Sequence, residues 1–320
     1  ADHVERRHLV PALFVTEGSV RCHSAAIREY ATPDDDNLRF TCADRELEAI
    51  PYFEKALNTR RTNHQLIHKN LGTLYHKVFQ FDKAIEHFTT YLDNAGREDR
   101  FIIYCERMLE TCNNAKKIVE ARQEYEINPL PYPLSKYKTR NVFTTVDGQV
   151  IIFQTQDYTL YKSEIKQGRF QEPNKLFSHG RLEEANLVGI SYDAQILYFN
   201  QKEKGDFDLY EANLVGLTIK KPKAFPGEIN SKFNEYDLTI SPDGTTMYFS
   251  SDRPGGYGKT DIYRINRISE NDWGTAENIG PEINTPYLER APFLQASGKY
   301  FYFASTGHEN MGGFDIFKST

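Results

Sequence analysis

Two hydrophobic periods divide this chain. Over residues 46–121 apolar side chains recur every three or four positions: Ala49 and Phe53, Leu71 and Tyr75, Ala84 and Phe88, then Ile102, Cys105, Leu109, Cys112 and Val119. That spacing predicts amphipathic α-helices. The run Asn128-Pro129-Leu130-Pro131-Tyr132-Pro133 ends the pattern, because closely spaced prolines forbid a helix. Beyond it the period falls toward two, and short aromatic-rich runs predict β-strands. The expected fold class is therefore α + β in separate domains, a helical domain over 46–121 and an all-β domain over 122–320. Residues 1–45 show no period and stay unassigned.

The β half repeats itself. A turn followed by an aromatic strand occurs at Asp147-Gly148 then Ile151-Ile152-Phe153, Asp193-Ala194 then Leu197-Tyr198-Phe199, Asp243-Gly244 then Met247-Tyr248-Phe249, and Ser297-Gly298 then Phe301-Tyr302-Phe303. A second element follows each, centred on Leu160, Leu209, Ile262 and Ile316, at intervals of 49, 53 and 54 residues. A third, Glu228-Ile229-Asn230 and Glu282-Ile283-Asn284, precedes two of the units. Strand repeats of about 40–50 residues predict propeller blades. The aromatic strand should be central, and the turn needs the positive φ that glycine adopts cheaply. A fourth strand is expected near 273–279. Asp208, Asp261 and Asp315 recur at one blade position, which suggests a structural carboxylate accepting loop N–H bonds. Tyr137 and Tyr287 each lie ten residues before their turn, and matching the first unit to the last on that register places 123–127 as an outer strand that would close the ring on the last blade.

Both halves carry family resemblances. Leu71-Gly72-x-x-Tyr75 and Ala84-x-x-x-Phe88 match the tetratricopeptide pattern, and Ala49-x-x-x-Phe53 repeats its second part 35 residues upstream. Ser241-Pro242-Asp243-Gly244, Tyr248 to Arg253, and Asp261-Ile262-Tyr263 resemble the PD40, or TolB-like, propeller repeat. Together with the Glu-Ile-Asn element, the layout resembles Bacteroidota OmpA-family envelope proteins, such as the PorE-like component of the type IX secretion system. The resemblance implies a periplasmic, outer-membrane-associated scaffold that binds other envelope proteins. It implies peptidoglycan contact only through a domain absent from these residues.

Composition narrows the alternatives. Of 320 residues, 39% are hydrophobic and 26% charged, a globular balance. A net charge of −6 with no basic stripe argues against nucleic acid as a partner. No apolar run approaches the roughly 20 residues that span a bilayer, and Leu9-Val10-Pro11-Ala12-Leu13-Phe14-Val15 reads as ordinary structure. Cys22, Cys42, Cys105 and Cys112 form no C-x-x-C pair. Cys105 and Cys112 lie about 10 Å apart along one helix, too far for a disulfide, so buried free thiols are expected.

No motif carries an enzyme. Gly258-Lys259-Thr260 lacks the first glycine of a phosphate loop and runs into a strand rather than a helix. The nucleophile elbow of the serine hydrolases that such propellers cap is absent. His308-Glu309 lacks the second histidine of a zincin. Glu203, Asp206 and Asp208 offer three carboxylates where calcium takes six or more oxygens. No cofactor is expected. The candidate partner-binding residues are Lys69, Thr73 and His76, with Leu66, on the first helix of the tetratricopeptide-like pair. Lys69 would grip a peptide carboxylate. Arg253 and Tyr257 in a propeller loop are the other candidates. The leading reading is a non-enzymatic protein-interaction scaffold. The alternatives are a propeller whose central cavity holds a glycan or peptide, and a propeller subunit serving a separate hydrolase.

Overall fold

The computed structural model describes residues 46–58, 64–120, 131–179, 182, 184–203, 205–270 and 272–320. They fall into two compact units. The proposed ring-closing strand at 123–127 and the segment 1–45 lie outside the described residues.

One unit is helical: α1 (Glu46–Leu57), α2 (His64–Lys77), α3 (Phe81–Asn94) and α4 (Ile102–Glu120). Each helix packs on the next, and α2 also meets α4. The small and aromatic positions of the sequence pattern form the core. Leu71, Ala84 and Phe88 are completely buried, and Tyr75 and Tyr91 nearly so. Gly72 lets the Phe88 ring lie directly on the α2 backbone; a Cβ there would sit 2.8 Å from the ring. Cys105 and Cys112 are free and buried. Burial pushes their thiols up to about 11 and about 12, so neither is a reactive thiolate at neutral pH. The short segment Glu309–Gly313 belongs to this unit, with Met311 packed against its core.

Among the described residues the other unit is a β-propeller arrangement of four blades. The first blade holds β1 (Thr139–Thr144), β2 (Val150–Thr155), β3 (Leu160–Lys166), β4 (Arg169–Phe170) and β5 (Asn174–Lys175). The second holds β6 (Phe177–Ser178), β7 (Asn186–Ile190), β8 (Ile196–Glu203), β9 (Asp206–Val215), β10 (Thr218–Ile219) and β11 (Lys223–Ala224). The third is β12 (Glu235–Ile240), β13 (Thr246–Ser251), β14 (Asp261–Asn266) and β15 (Glu277–Asn278). The fourth shows β16 (Glu289–Leu294), β17 (Phe301–Ser305) and β18 (Asp315–Ser319) among the described residues. First strands lie side by side from blade to blade, β1 on β7, β7 on β12, and β12 on β16.

The aromatic runs are central strands, paired on both sides, as the pattern predicts. Ile151, Ile152 and Phe153 are buried, as are Leu197, Tyr198 and Phe199. In the fourth blade only Phe303 of its run is fully buried, and Phe301 and Tyr302 are half-exposed. Polar side chains tie each junction across the blades. Gln154 donates to Ala185 O at 2.7 Å, Asn200 to Tyr236 O at 2.5 Å, and Arg290 to the Asp237 carboxylate at 2.5 Å. The Tyr192 hydroxyl of the second blade donates to Leu294 O of the fourth at 2.6 Å. That bond crosses between non-neighbouring blades.

The turns show why aspartate recurs. Ser241 Oγ donates to Asp243 at 2.5 Å, Thr245 N donates to the same carboxylate at 3.0 Å, and Thr246 N donates to Ser241 Oγ at 2.9 Å. Thr145 with Asp147 and Ser191 with Asp193 repeat the arrangement. Gly148, Ala194, Gly244 and Gly298 follow at positive φ, between 56° and 71°. Bonds from Ser241 and Thr245 hold the Asp243 carboxyl down at about 2. A depressed carboxylate contributes stability above its ordinary pKa, and that contribution is lost as pH falls through the folded value. Asp243→Asn is therefore expected to be less stable than the parent at neutral pH, with the difference closing as pH approaches about 2. Acid unfolding of the two proteins compared side by side checks this.

Candidate functional site

Most polar residues that recur in the propeller are engaged in holding it together. Glu235 and Glu289 sit at equivalent strand positions, paired in register with Ser251 and Ser305, and both are fully buried. Glu235 accepts from Ser231 N at 3.1 Å, Ser231 Oγ at 2.8 Å, Ser251 Oγ at 2.9 Å and Arg253 Nη2 at 3.0 Å. Glu289 repeats this with Thr285 N at 2.9 Å, Thr285 Oγ1 at 2.6 Å and Ser305 Oγ at 2.7 Å. Burial pushes the Glu289 carboxyl up, against the pull of these donors.

Arg253 also donates to the carbonyls of Glu228 at 3.1 Å and Ile229 at 2.6 Å, and lies over the rings of Phe249 and Tyr263. Its side chain is only 14% exposed. The donors of Arg253, a candidate for partner contact, face acceptors of Glu228, Ile229 and Glu235. His308 takes the matching place in the fourth blade, with Nε2 2.9 Å from Ile283 O and its ring against Phe303 and Phe317.

The Glu-Ile-Asn element is a joint. Asn230 accepts from Leu209 N at 2.8 Å and donates to Leu209 O at 2.9 Å, so its amide adds one more rung to β9. Asn284 does the same to Ile262 of β14 at 2.7 and 2.9 Å. The next residue, Ser231 or Thr285, then caps the buried carboxylate of the following blade.

The loop 252–260 is largely packed. Gly258 has no room for a Cβ, which would meet the carbonyls of Thr285 and Tyr287. Lys259 N donates to Tyr287 O at 2.7 Å, and Thr260 bridges Leu288. These amides serve the neighbouring segment rather than a phosphate. Asp261 is buried and accepts from Gly258 N at 3.2 Å, the structural role expected of it, and burial raises its pKa. Tyr257 is half exposed at the loop tip. Among the described residues no group of three or more His, Cys, Asp or Glu side chains is arranged to hold a metal.

The helical unit is different. Lys69 of α2 is half-buried, with Nζ 4.7 Å from the centre of the Phe101 ring and 5.8 Å from that of Tyr104. Among the described residues no carboxylate pairs with it. Burial lowers its pKa, and the neighbouring Arg100 charge adds to that effect. Thr73 shares a 2.9 Å hydrogen bond with the Tyr104 hydroxyl and donates to Lys69 O at 3.0 Å. Lys69 and Thr73 thus come together with Tyr104. His76, one turn on, packs edge-on against Phe81, and a Cβ on Gly312 would meet its ring. Burial lowers its pKa, against a backbone hydrogen bond at Met311. Its ring therefore lies in packed surroundings. Tyr104 had a sequence signal: it is a large side chain off the buried Cys105–Cys112 stripe of α4, and it is 39% exposed.

No family profile matches the chain, and no curated protein matches it. Solved structures do. TolB from Acinetobacter baumannii aligns at 16% identity and a TM-score of 0.39, covering 56% of this chain and 40% of that one. The putative TolB from Agrobacterium tumefaciens aligns at 16% identity and 0.35, covering 57% and 82%. The periplasmic gluconolactonase PpgL of Pseudomonas aeruginosa aligns at 10% identity and 0.34, covering 62% and 60%. The chain thus spans two fifths of the Acinetobacter protein. Within the described residues no helix is long and apolar enough to cross a membrane.

Proposed function

We propose that this chain is a non-enzymatic scaffold of the bacterial cell envelope, periplasmic and associated with the outer membrane. In this reading a tetratricopeptide-like helical array and a PD40-type propeller each bind another envelope protein, within or beside the type IX secretion apparatus. The observation that carries it is a contrast in how polar residues are used. The carboxylates and asparagines that recur in the blades, and Arg253, are engaged in bonds within and between blades, whereas Lys69 of the helical unit is held among aromatic rings with no carboxylate paired to it among the described residues. A rigid propeller with a helical recognition surface suits the holding of components at fixed separation.

Affinity isolation of the whole chain from native envelope, after mild cross-linking, tests the reading. Recovery of a defined set of envelope proteins supports it. Their absence, or turnover of a lactone, ester or peptide that a point change abolishes, overturns it. A second reading rests on an open groove of about 600 Å³ in the propeller, lined by Asp157, Tyr158, Thr159 and Lys175. Its mixed polar and aromatic wall suits a sugar, and saturable binding of a cell-wall glycan would favour it.

A further inference from the structure

We infer that His68 of α2 and His87 of α3 form an acid-sensitive clasp across the α2–α3 crossing, closed while one proton lies between the two rings and opened when both rings are protonated. The two Nδ1 atoms face each other at 2.9 Å, with ring centres 5.1 Å apart and planes inclined at 43°. A contact of that length between two imidazole nitrogens holds one proton, donated by one ring and accepted by the other. His87 is further seated on Tyr75, with ring centres 5.5 Å apart and planes within 4° of parallel, and the Tyr75 hydroxyl donates to Glu54 of α1. The clasp sits beside the closest packing of the crossing. His68 lies four residues before Gly72, and His87 directly precedes Phe88, whose ring rests on the Gly72 backbone.

The two rings have three charge states. With both neutral, one donates its Nδ1–H and the other accepts. A first proton from solvent enters at the donor's Nε2, and the resulting cation still donates, now with charge assistance. A second proton can enter only at the accepting Nδ1. The bond then has no acceptor, and two imidazolium N–H groups point at each other in a partly buried crossing. The surrounding charges are mixed. Glu86 of α3 favours a cation on both rings and Glu54 of α1 one on His87, while His64 of α2 opposes a charge on His68 and Lys83 of α3 one on His87. Burial is the largest influence on each ring, followed by His64 at His68 and by His68 at His87, and both pKa values fall below the ordinary 6.5. A histidine held low in the folded state contributes stability that is complete above 6.5 and is lost as pH falls through the folded value. The clasp is therefore closed at neutral pH and opens on acidification. Close packing at Gly72 and Phe88 leaves no slack to absorb the repulsion, so α2 loosens from α3. The device belongs to the helical unit alone and is independent of which partner the chain holds.

Denaturant titrations of the full chain at a series of pH values test this, with far-ultraviolet circular dichroism reading the helices and the fluorescence of the buried Trp273 reading the sheets. Where the unfolded rings hold two protons and the folded pair one, the pair should raise the unfolding constant of the helical unit about tenfold for each unit of falling pH. His76, also lowered by burial, adds an acid dependence of its own, so the pair is read as the difference between wild type and variants. His68→Asn and His87→Asn each set an amide near the Nδ1 position and leave one titratable ring, whose cation can donate to the amide oxygen. Each should remove that tenfold-per-unit component and leave the sheet transition unchanged. Nitrogen-15 correlation spectra of the wild-type imidazoles give a readout that needs no folded variant. At neutral pH one ring of the pair should be the Nδ1–H tautomer and the other the Nε2–H tautomer, and the pair should titrate in two separated steps. Two rings titrating as independent sites near 6.5, or an acid slope that persists in full in both asparagine variants, overturns the inference.

Discussion

Arg253→Ala is expected to destabilise the sheet unit by about 3–5 kcal/mol, because it leaves a buried carboxylate without its countercharge. Glu235 is completely buried, and the guanidinium 3.0 Å away is the cation that pairs with it. The hydroxyls of Ser231 and Ser251 remain as donors but carry no charge. The carbonyls of Glu228 and Ile229 lose their donors at the same time, which loosens the joint between the second and third blades. A lysine in its place would restore a charge but not a planar fork that reaches Glu235 and two carbonyls while lying on Phe249 and Tyr263, so Arg253→Lys should recover only part of the loss. The chain's single tryptophan, Trp273, is buried in the core of this part of the propeller. Its fluorescence in a denaturant titration therefore reports the sheet unit. A loss below about 1 kcal/mol, the range of an exposed ion pair, would show that the Ser231 and Ser251 donors hold the buried carboxylate without Arg253.

The contrast between Arg253 and the turn aspartates shows what the sequence can and cannot disclose. Asp147, Asp193 and Asp243 act on residues two positions away, so their role follows from local spacing, and the positive φ at Gly148, Gly244 and Gly298 follows with it. The helical and β periods were legible for a similar reason, since burial repeats along each element. Arg253 acts on Glu235 and on the carbonyls of Glu228 and Ile229, which lie 18, 25 and 24 residues away. Read alone, an arginine in a glycine-rich loop looks like a surface contact, and Glu235 looks like an exposed strand residue. Only the register β12–β13 brings the two inside one blade. The candidate site divides in the same way. Lys69 and Thr73 share a helix and fall together on one face, but Tyr104 reaches them from α4 and Arg100 from the turn before it. His76 also lies on α2, yet its surroundings include Phe81 and Gly312, which helical spacing does not register.

Phe88→Ala should destabilise the helical unit by about 3–5 kcal/mol, the range for emptying a fully buried aromatic site. Its partner at Gly72 makes the site informative, because the two residues compete for one volume. A Cβ on Gly72 would lie 2.8–2.9 Å from three atoms of the Phe88 ring. That ring touches Tyr104 on α4 and is completely buried, so it has little freedom to retreat. Gly72→Ala alone therefore sets about 1–3 kcal/mol of overpacking against the roughly 1 kcal/mol that alanine gains over glycine within a helix. The net effect should be neutral to destabilising. In the Phe88→Ala background the ring is gone and only the propensity gain remains, with the new methyl filling part of the cavity. Gly72→Ala should there become stabilising by about 1 kcal/mol, a reversal of sign that independent sites do not show. Far-ultraviolet circular dichroism reads the helical unit in a thermal or denaturant titration, alongside Trp273 fluorescence as an internal control for the sheets. If Gly72→Ala changes stability equally in both backgrounds, the α2–α3 crossing is looser than a ring resting on bare backbone, and glycine at position 72 is not required by Phe88.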